Sequence, residues 1–314
     1  MSHAPVESTA PGKVILFGEH AVVYGEPAIA VPVSQVEAGA TVEPAPSGSG
    51  LTLVAADLEQ RFTLAEAPPR DPLALAARLT LDRLSAPAPD ATIVIRSSIP
   101  IASGLGSGAA VSTAIVRALA EFIGRPLSPA QVSELVFEVE KIHHGTPSGI
   151  DNTVIAYERP VYFICTEASG PHLVSVGAPF TLVIADTGLP SPTKRLVSRV
   201  RAGWKRDRAR YEALFEDIGE IAREAYRKIE TGDVEGLGPL MDKNHALLIQ
   251  LGVSSPTLDR LVDAAREAGA LGAKLSGAGQ GGNMLALVDV EDAQNATEVL
   301  KEAGAAHVIR TTVA

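Results

Sequence analysis

The sequence predicts a chain of two domains that mix strands and helices, divided at about residues 180–190. Three observations predict this division. Strand-like runs dominate the first third, long charged helical stretches take over after about residue 188, and the chain closes on a β–α–β pattern. A length of 314 residues suits one large domain or two of ordinary size.

The elements follow in order. The runs "KVILF" (13–17), "PAIAVPV" (27–33), "GATVEPA" (39–45) and "LTLVAAD" (51–57) are β-branched or alternating, with Gly and Pro between them, and predict strands. "PSGSG" (46–50) predicts a hairpin turn. "DPLALAARLTLDRL" (71–84) predicts a helix, and "ATIVIRS" (91–97) a strand that leads into a glycine-rich loop. Val111, Ile115, Ala118 and Phe122 lie three or four apart and make one apolar helical face, which Gly124 ends. Ser128, Pro129 and Gln131 are an N-cap, a first-turn proline and a capping-box glutamine. Val132, Leu135, Val136 and Val139 are the stripe of the helix they start, and Gly145 ends it. "RPVYFICTE" (159–167) and "FTLVIADTG" (180–188) predict strands. Residues 193–230, 234–252 and 255–269 predict helices, "AKLSGAGQGGNMLALVD" (273–289) a glycine turn feeding a strand, 290–303 a helix and "HVIRTTV" a last strand. The predicted domains are therefore residues 1–185 and 186–314.

Composition narrows the function classes. The chain is 46% hydrophobic and 20% charged, as a globular protein with sizeable cores is. A net charge of −10 argues against non-specific binding to nucleic acid or to an anionic membrane. One cysteine, Cys165, excludes an internal disulfide, and its strand-like surroundings predict a small core residue. The N-terminus has neither a basic n-region nor an apolar h-region, and no apolar run has bilayer length, so the expected location is the cytoplasm.

Four stretches carry candidate chemistry. In "SGLGSGAAV" (103–111), Gly104, Gly106 and Gly108 let backbone N–H groups approach a ligand, and the helix starting near Ala109 adds its positive end. That makes either a phosphate cradle or a strand-to-helix turn that needs glycine for packing. In "APGKVILFGEHAVVYG" (10–25), Lys13 interrupts an apolar strand start, and burying an unpaired ammonium is costly. It is either a snorkelling surface side chain or a cation held beside an anion. Glu19 and His20 are either solvated turn residues or grips for hydroxyl and carboxylate groups. In "EVEKIHHGTPSGIDN" (138–152), Glu140 flanks the buried stripe, as a metal ligand or a partly buried salt bridge, whereas Glu134, Glu138 and Lys141 read as a solvated face. The adjacent histidines of "HHG" point about 100° apart on a helix, which argues against a zinc pair. The turn after them fixes Asp151. "KLSGAGQGGN" (274–283) is a second glycine turn, which either closes over a ligand or merely bends the chain.

In this order and spacing the four stretches resemble the motifs of the GHMP kinase superfamily of small-molecule kinases: a Lys followed by "GEH", a P-x3-G-L-G-S-S-A-type loop matched by "PIASGLGSGAA" (100–110), and the C-terminal "KLSGAGQGG". The resemblance spans residues 10–289, and "APGKVILFGEHAVVYG" and "HHGTPSGIDN" look specifically like the mevalonate kinase branch. It implies an α+β fold of two domains, the first like domain 2 of ribosomal protein S5 and the second ferredoxin-like, with the active site in the cleft between them. It implies transfer of the ATP γ-phosphate to the C5 hydroxyl of mevalonate. Gly104, Leu105, Gly106, Ser107, Gly108 and Ala109 would cradle the phosphates, Glu140 and Ser107 would ligate Mg²⁺, and Lys13 would supply the cation. Asp151 would face the C5 hydroxyl, either accepting its proton or orienting it, with Lys13 steadying its carboxylate. Glu19 and His20 would bind polar groups of the substrate, Ser148 phosphate or mevalonate, and Thr193 would lie near the phosphates, with Gly277 and Gly279 in the closing turn.

One position departs from the pattern. Gly108 stands where the family loop has the serine that gives Mg²⁺ a hydroxyl, which leaves Ser107 or water for that place. Two other readings stay open: a sister kinase acting on phosphomevalonate, galactose or a similar alcohol, and a non-catalytic metabolite sensor. No cationic cluster for phosphomevalonate is visible beyond Lys13 and "TKR" (193–195). The family's frequent homodimer is an expectation without a visible interface stripe.

Overall fold

A computed structural model of the chain describes residues 4–100, 103–144, 147–165, 171–191 and 193–314, with the backbone alone at 143 and 144. The described residues fall into two compact units that are not consecutive in the chain. One comprises Met1–Gly12, Val36–Pro100 and Gly106–Glu158; the other comprises Lys13–Gln35, Ile101–Leu105 and Arg159–Ala314. Two long strands, β1 (Val6–Phe17) and β2 (Ala28–Pro44), contribute residues to both units and pair with each other. The predicted strands at 27–33 and 39–45 are thus one strand. The polar residues between them, Ser34, Gln35 and Glu37, are exposed and do not interrupt the extended backbone.

In the first unit, β3 (Leu51–Ala55), β4 (Gln60–Thr63) and β5 (Ala91–Ser97) join the second half of β2 in the order β4–β3–β5–β2. β5 runs parallel to β3, with Leu51 opposite Ala91, and antiparallel to β2, with Pro44 opposite Ala91. The "PSGSG" segment is therefore not a hairpin turn, because β5 lies between the strands it joins. Asp90, just before β5, holds it: the carboxylate accepts the Gly48 N–H at 2.9 Å and the Gly50 N–H at 2.7 Å.

Four helices complete this unit: α1 (Pro72–Leu84), α2 (Ser107–Phe122), α3 (Pro129–His144) and α4 (Ile150–Tyr157). The capping box at the start of α3 forms as predicted. The Ser128 N–H donates to Gln131 Oε1 at 3.0 Å, and the Gln131 N–H donates to Ser128 Oγ at 3.4 Å. Ala109, Ala110, Ala114 and Ala118 build much of the buried face of α2, and such small side chains let α1 and α3 pack closely against it. The predicted end of α3, Gly145, lies outside the described residues.

The second unit pairs β6 (Val161–Phe163) with β7 (His172–Leu173) and with the first half of β2. Its antiparallel four-stranded sheet has the order β11–β8–β10–β9, from β8 (Phe180–Asp186), β9 (Gly272–Ser276), β10 (Asn283–Val288) and β11 (His307–Val313). β8 is buried at every residue, as a central strand covered by helices must be. The stretch predicted as a glycine turn feeding one strand holds two, because β9 enters the turn antiparallel to β10. The charged stretch after residue 193 is two helices, α5 (Thr193–Arg206) and α6 (Arg208–Thr231), parted at Asp207. Their apolar stripe, including Val200, Leu214, Phe215 and Ile218, enters the core with residues of β8, β10 and α8 (Pro256–Glu267). The remaining helices are α7 (Leu237–Gln250) and α9 (Ala293–Glu302).

Cys165 is not the core residue expected. β6 ends at Phe163, and the cysteine lies exposed beyond it, its thiol donating to the Val22 carbonyl at 3.0 Å. Among the described residues no helix is long and apolar enough to cross a membrane.

Candidate active site

In the second unit, β1 delivers Lys13 and then the turn carrying Glu19 and His20. Lys13 is 4% exposed, which rules out a snorkelling surface side chain, and its backbone N–H donates to the Leu105 carbonyl at 2.9 Å. The start of the first glycine loop therefore lies along β1, with Gly104 exposed and Leu105 buried. Glu19 and His20 are buried as well, so neither is a solvated turn residue. The Glu19 carboxylate pairs with Lys274 Nζ through Oε1 and accepts Asn244 Nδ2 at 3.2 Å through Oε2. Lys274 Nζ also donates to the Leu275 carbonyl at 2.6 Å. Burial pushes the Lys274 pKa down, and the Glu19 carboxylate opposes that. Burial likewise lowers the pKa of His20, so the ring is neutral at pH 7, and its Nε2–H donates to the Ala278 carbonyl at 3.0 Å.

That carbonyl belongs to the second glycine turn, between β9 and β10. The turn is tied down on several sides. Ser276 Oγ donates to the Ile15 carbonyl of β1 at 2.8 Å, and Asn283 Nδ2 donates to the Ser103 carbonyl of the first loop at 2.7 Å. Ser191 Oγ donates to the Gly279 carbonyl at 2.9 Å. Gly279 has φ +89°, and a Cβ there would stand 2.0 Å from the Val253 carbonyl oxygen, so only glycine fits. Gly277 also has positive φ but faces open space. Thr193 is the first residue of α5, its Oγ1 3.4 Å from the Ser191 carbonyl that it donates to, so it stands two residues from the serine that holds the turn.

The first unit holds the other candidates. Gly106, with φ +77°, is the N-cap of α2, and Ser107, Gly108 and Ala109 form its first turn. Ser107 is half-buried, Gly108 exposed and Ala109 buried. The leading N–H groups of a helix lack intrahelical partners and attract anions. Glu140 is 3% exposed on α3, which packs against α2. Gly149 caps α4, Ser148 Oγ accepts the Ile150 N–H at 3.4 Å, and half-buried Asp151 lies in the first turn, where the helix dipole favours a carboxylate. Asn152 anchors α4 to α3 by donating to the Ser133 carbonyl at 3.1 Å and to Ser133 Oγ at 2.9 Å. Thr153 Oγ1 donates to the Gly149 carbonyl at 2.6 Å and ties the helix to its own cap. The side chains of His143 and His144 lie outside the description.

The structure thus brings Lys13, Glu19, His20, the start of the first loop, Gly277, Gly279 and Thr193 together in one unit. It brings Gly106 to Ala109, Glu140, Ser148 and Asp151 together in the other. Sequence reasoning missed Lys274, Asn244, Ser276 and Asn283. Lys274 had the same signal as Lys13, a lysine among apolar strand residues, but it was hidden inside a glycine motif. Asn244 had no signal, since "DKNHA" reads as an ordinary helix surface.

Comparison with known proteins places these motifs. The family model described as GHMP kinases N terminal domain matches residues 72–159, and the one described as GHMP kinases C terminal matches residues 216–306. The mevalonate kinases of Thermococcus sibiricus and Pyrococcus furiosus are each 34% identical to this chain, covering 94% of it and 92% of their own length. The crystal structure of L. major mevalonate kinase in complex with R-mevalonate superposes with a TM-score of 0.84 at 30% identity, over 98% of this chain and 95% of that one. The two sheets and their helices are therefore the α+β fold of these kinases, and the chain belongs to the GHMP kinases, within their mevalonate kinase family.

Proposed function

We propose that this chain phosphorylates mevalonate, transferring the γ-phosphate of ATP to the C5 hydroxyl to give 5-phosphomevalonate. It is an ATP-dependent small-molecule kinase. The observation that carries the substrate is the identity to mevalonate kinases over nearly the full length of both chains. We place the division between the N-terminal and C-terminal family halves at about residue 185, between the two matched segments, and the enzyme in the cytoplasm.

The residues are assigned as follows. The N–H groups from Gly104 to Ala109 bind the phosphate chain, because the first turn of α2 leaves such donors unpaired. Lys13 neutralises charge on the transferring phosphoryl group. Asp151 holds the C5 hydroxyl in line and receives its proton or steadies it. Phosphoryl transfer has a loose transition state, so positioning and charge neutralisation supply most of the catalysis. The family resemblance gives Glu19 and His20 the polar groups of the substrate and Ser148 phosphate or mevalonate; Thr193 lies near the phosphates, and Gly277 and Gly279 form the closing turn.

The donor set fits Mg²⁺. Glu140 is a buried carboxylate and Ser107 a half-buried hydroxyl on two helices that pack together, and both are the hard oxygen ligands that Mg²⁺ takes. Among the described residues no group of three or more His, Cys, Asp or Glu could hold a metal ion. When bound, Mg²⁺ would offset the negative charge of the nucleotide phosphates.

Coupled ADP release tests the proposal, with mevalonate, phosphomevalonate, galactose and homoserine offered in turn beside a control without acceptor. Mevalonate-dependent turnover is expected. Turnover with another alcohol would replace the substrate, and ATP binding without any turnover would favour a sensor.

A further inference from the structure

Glu19 is given to the substrate by the family resemblance, yet its surroundings leave it no free oxygen. The Glu19 and Lys274 side chains are both wholly buried and paired with each other. The second carboxylate oxygen is taken by Asn244, and Lys274 Nζ is taken further by the Leu275 carbonyl. A buried lysine and a buried carboxylate persist only as such a hydrogen-bonded pair, because either charge alone is strongly penalised.

The pair lies where three stretches of chain converge: the turn after β1, α7 and β9. The neighbours of both residues extend the junction. His20, beside Glu19, holds Ala278 of the second glycine turn, and Ser276, two residues after Lys274, holds Ile15 of β1. Glu19 and Lys274 therefore flank both ties: Glu19 adjoins His20, which holds the turn at residues 277–282, and Lys274 lies on β9 two residues before Ser276.

We propose that Glu19 and Lys274 are a positioning pair: Glu19 touches no substrate, and acts on the reaction through Lys274 and Asn244 by fixing His20 and the closing glycine turn relative to each other. This rests on the kinase reading above. It separates the two residues of the "GEH" motif, with His20 at the substrate and Glu19 behind it.

The test compares Glu19→Met, Lys274→Met and the double variant, in melting temperature and in kcat and KM for mevalonate. Removing one partner strands a buried charge and lowers the melting temperature by roughly 5–15 °C, whereas removing both restores most of that loss. Because no substrate contact has been removed, the double variant also recovers at least about tenfold in kcat/KM over Glu19→Met. If the double variant regains its melting temperature while KM for mevalonate stays as high as in Glu19→Met, Glu19 contacts the substrate and the proposal falls. Should the single variants fail to fold, Glu19→Gln preserves the side-chain shape. Its kcat is expected to fall with KM within about twofold, and a rise of about tenfold in KM at unchanged kcat overturns the proposal. Wild-type enzyme inert toward every acceptor would refute the kinase reading instead, while the melting of the double variant would still report the pair, and a double variant no more stable than either single would refute it.

Discussion

Replacing Gly279 by alanine tests the close packing of the second glycine turn, and Gly277 supplies the control. Both residues have positive φ, +89° at Gly279 and +81° at Gly277, so alanine at either costs about 1–2 kcal/mol of backbone strain. The difference lies in what a Cβ meets. At Gly277 there is nothing within 4 Å; at Gly279 the Val253 carbonyl oxygen is 2.0 Å away. That oxygen is backbone and cannot swing aside. It also accepts the Gln280 N–H at 2.9 Å, a bond the displacement would break at a net cost of about 1 kcal/mol. With the overlap itself, Gly279→Ala should lose roughly 3–5 kcal/mol against about 1–2 kcal/mol for Gly277→Ala. At about 2 °C per kcal/mol, the two melting temperatures fall by roughly 6–10 °C and 2–4 °C. Scanning calorimetry with and without ATP measures both. If Gly279→Ala melts no lower than Gly277→Ala, the contact with Val253 does not exist as described.

Other predictions concern acid, chemistry and metal. Burial holds the pKa of His245 at about 4 instead of 6.5; its Nδ1 accepts the Leu275 N–H at 3.3 Å, and Asp259, Arg266, Lys274 and Asp263 surround it. The unfolded chain therefore takes up a proton as pH falls through 6.5 while the folded chain does not, so up to roughly 3 kcal/mol of stability is lost from about pH 6.5 down to about pH 4. Neutral His20 adds in the same direction, and His245→Gln should flatten the acid side of the melting profile; an unchanged slope would remove His245 as its cause. Asp151→Asn should lower kcat by about 10²-fold or more without unfolding α4, as expected of a positioned acid–base group; near-normal turnover would take Asp151 out of the mechanism. Gly108→Ser, at an exposed position in the first turn of α2, should lower the free Mg²⁺ needed for half-maximal activity severalfold, measured by titration at fixed ATP, and no change would mean that a hydroxyl there does not reach the ion.

Local elements were legible wherever their signals are local. The capping box of α3, strand β5 and strand β11 need only their own residues, and they form as the sequence predicts. The short helix α4 was missed because it follows a Pro-Ser-Gly turn and runs only eight residues, although Gly149 before it and the apolar spacing of Ile150 and Val154 marked it. The turn at 46–50 was misread because pairing is not local: β5, some forty residues on, enters between β2 and β3. Cys165 was misread because apolar neighbours predict burial only while the strand continues, and β6 stops before it.

By itself the sequence determined the family, since motif residues and their order survive in one dimension: Lys13 and "GEH", the glycine loop, the turn before Asp151, and "KLSGAGQGG". Only the tertiary structure decided which of those side chains are buried and which partners within the chain some of them take. Burial and pairing are properties of residues brought together from distant parts of the chain. Glu19 and Lys274 lie 255 residues apart and neutralise each other inside one unit, a pairing that neither residue shows in the sequence.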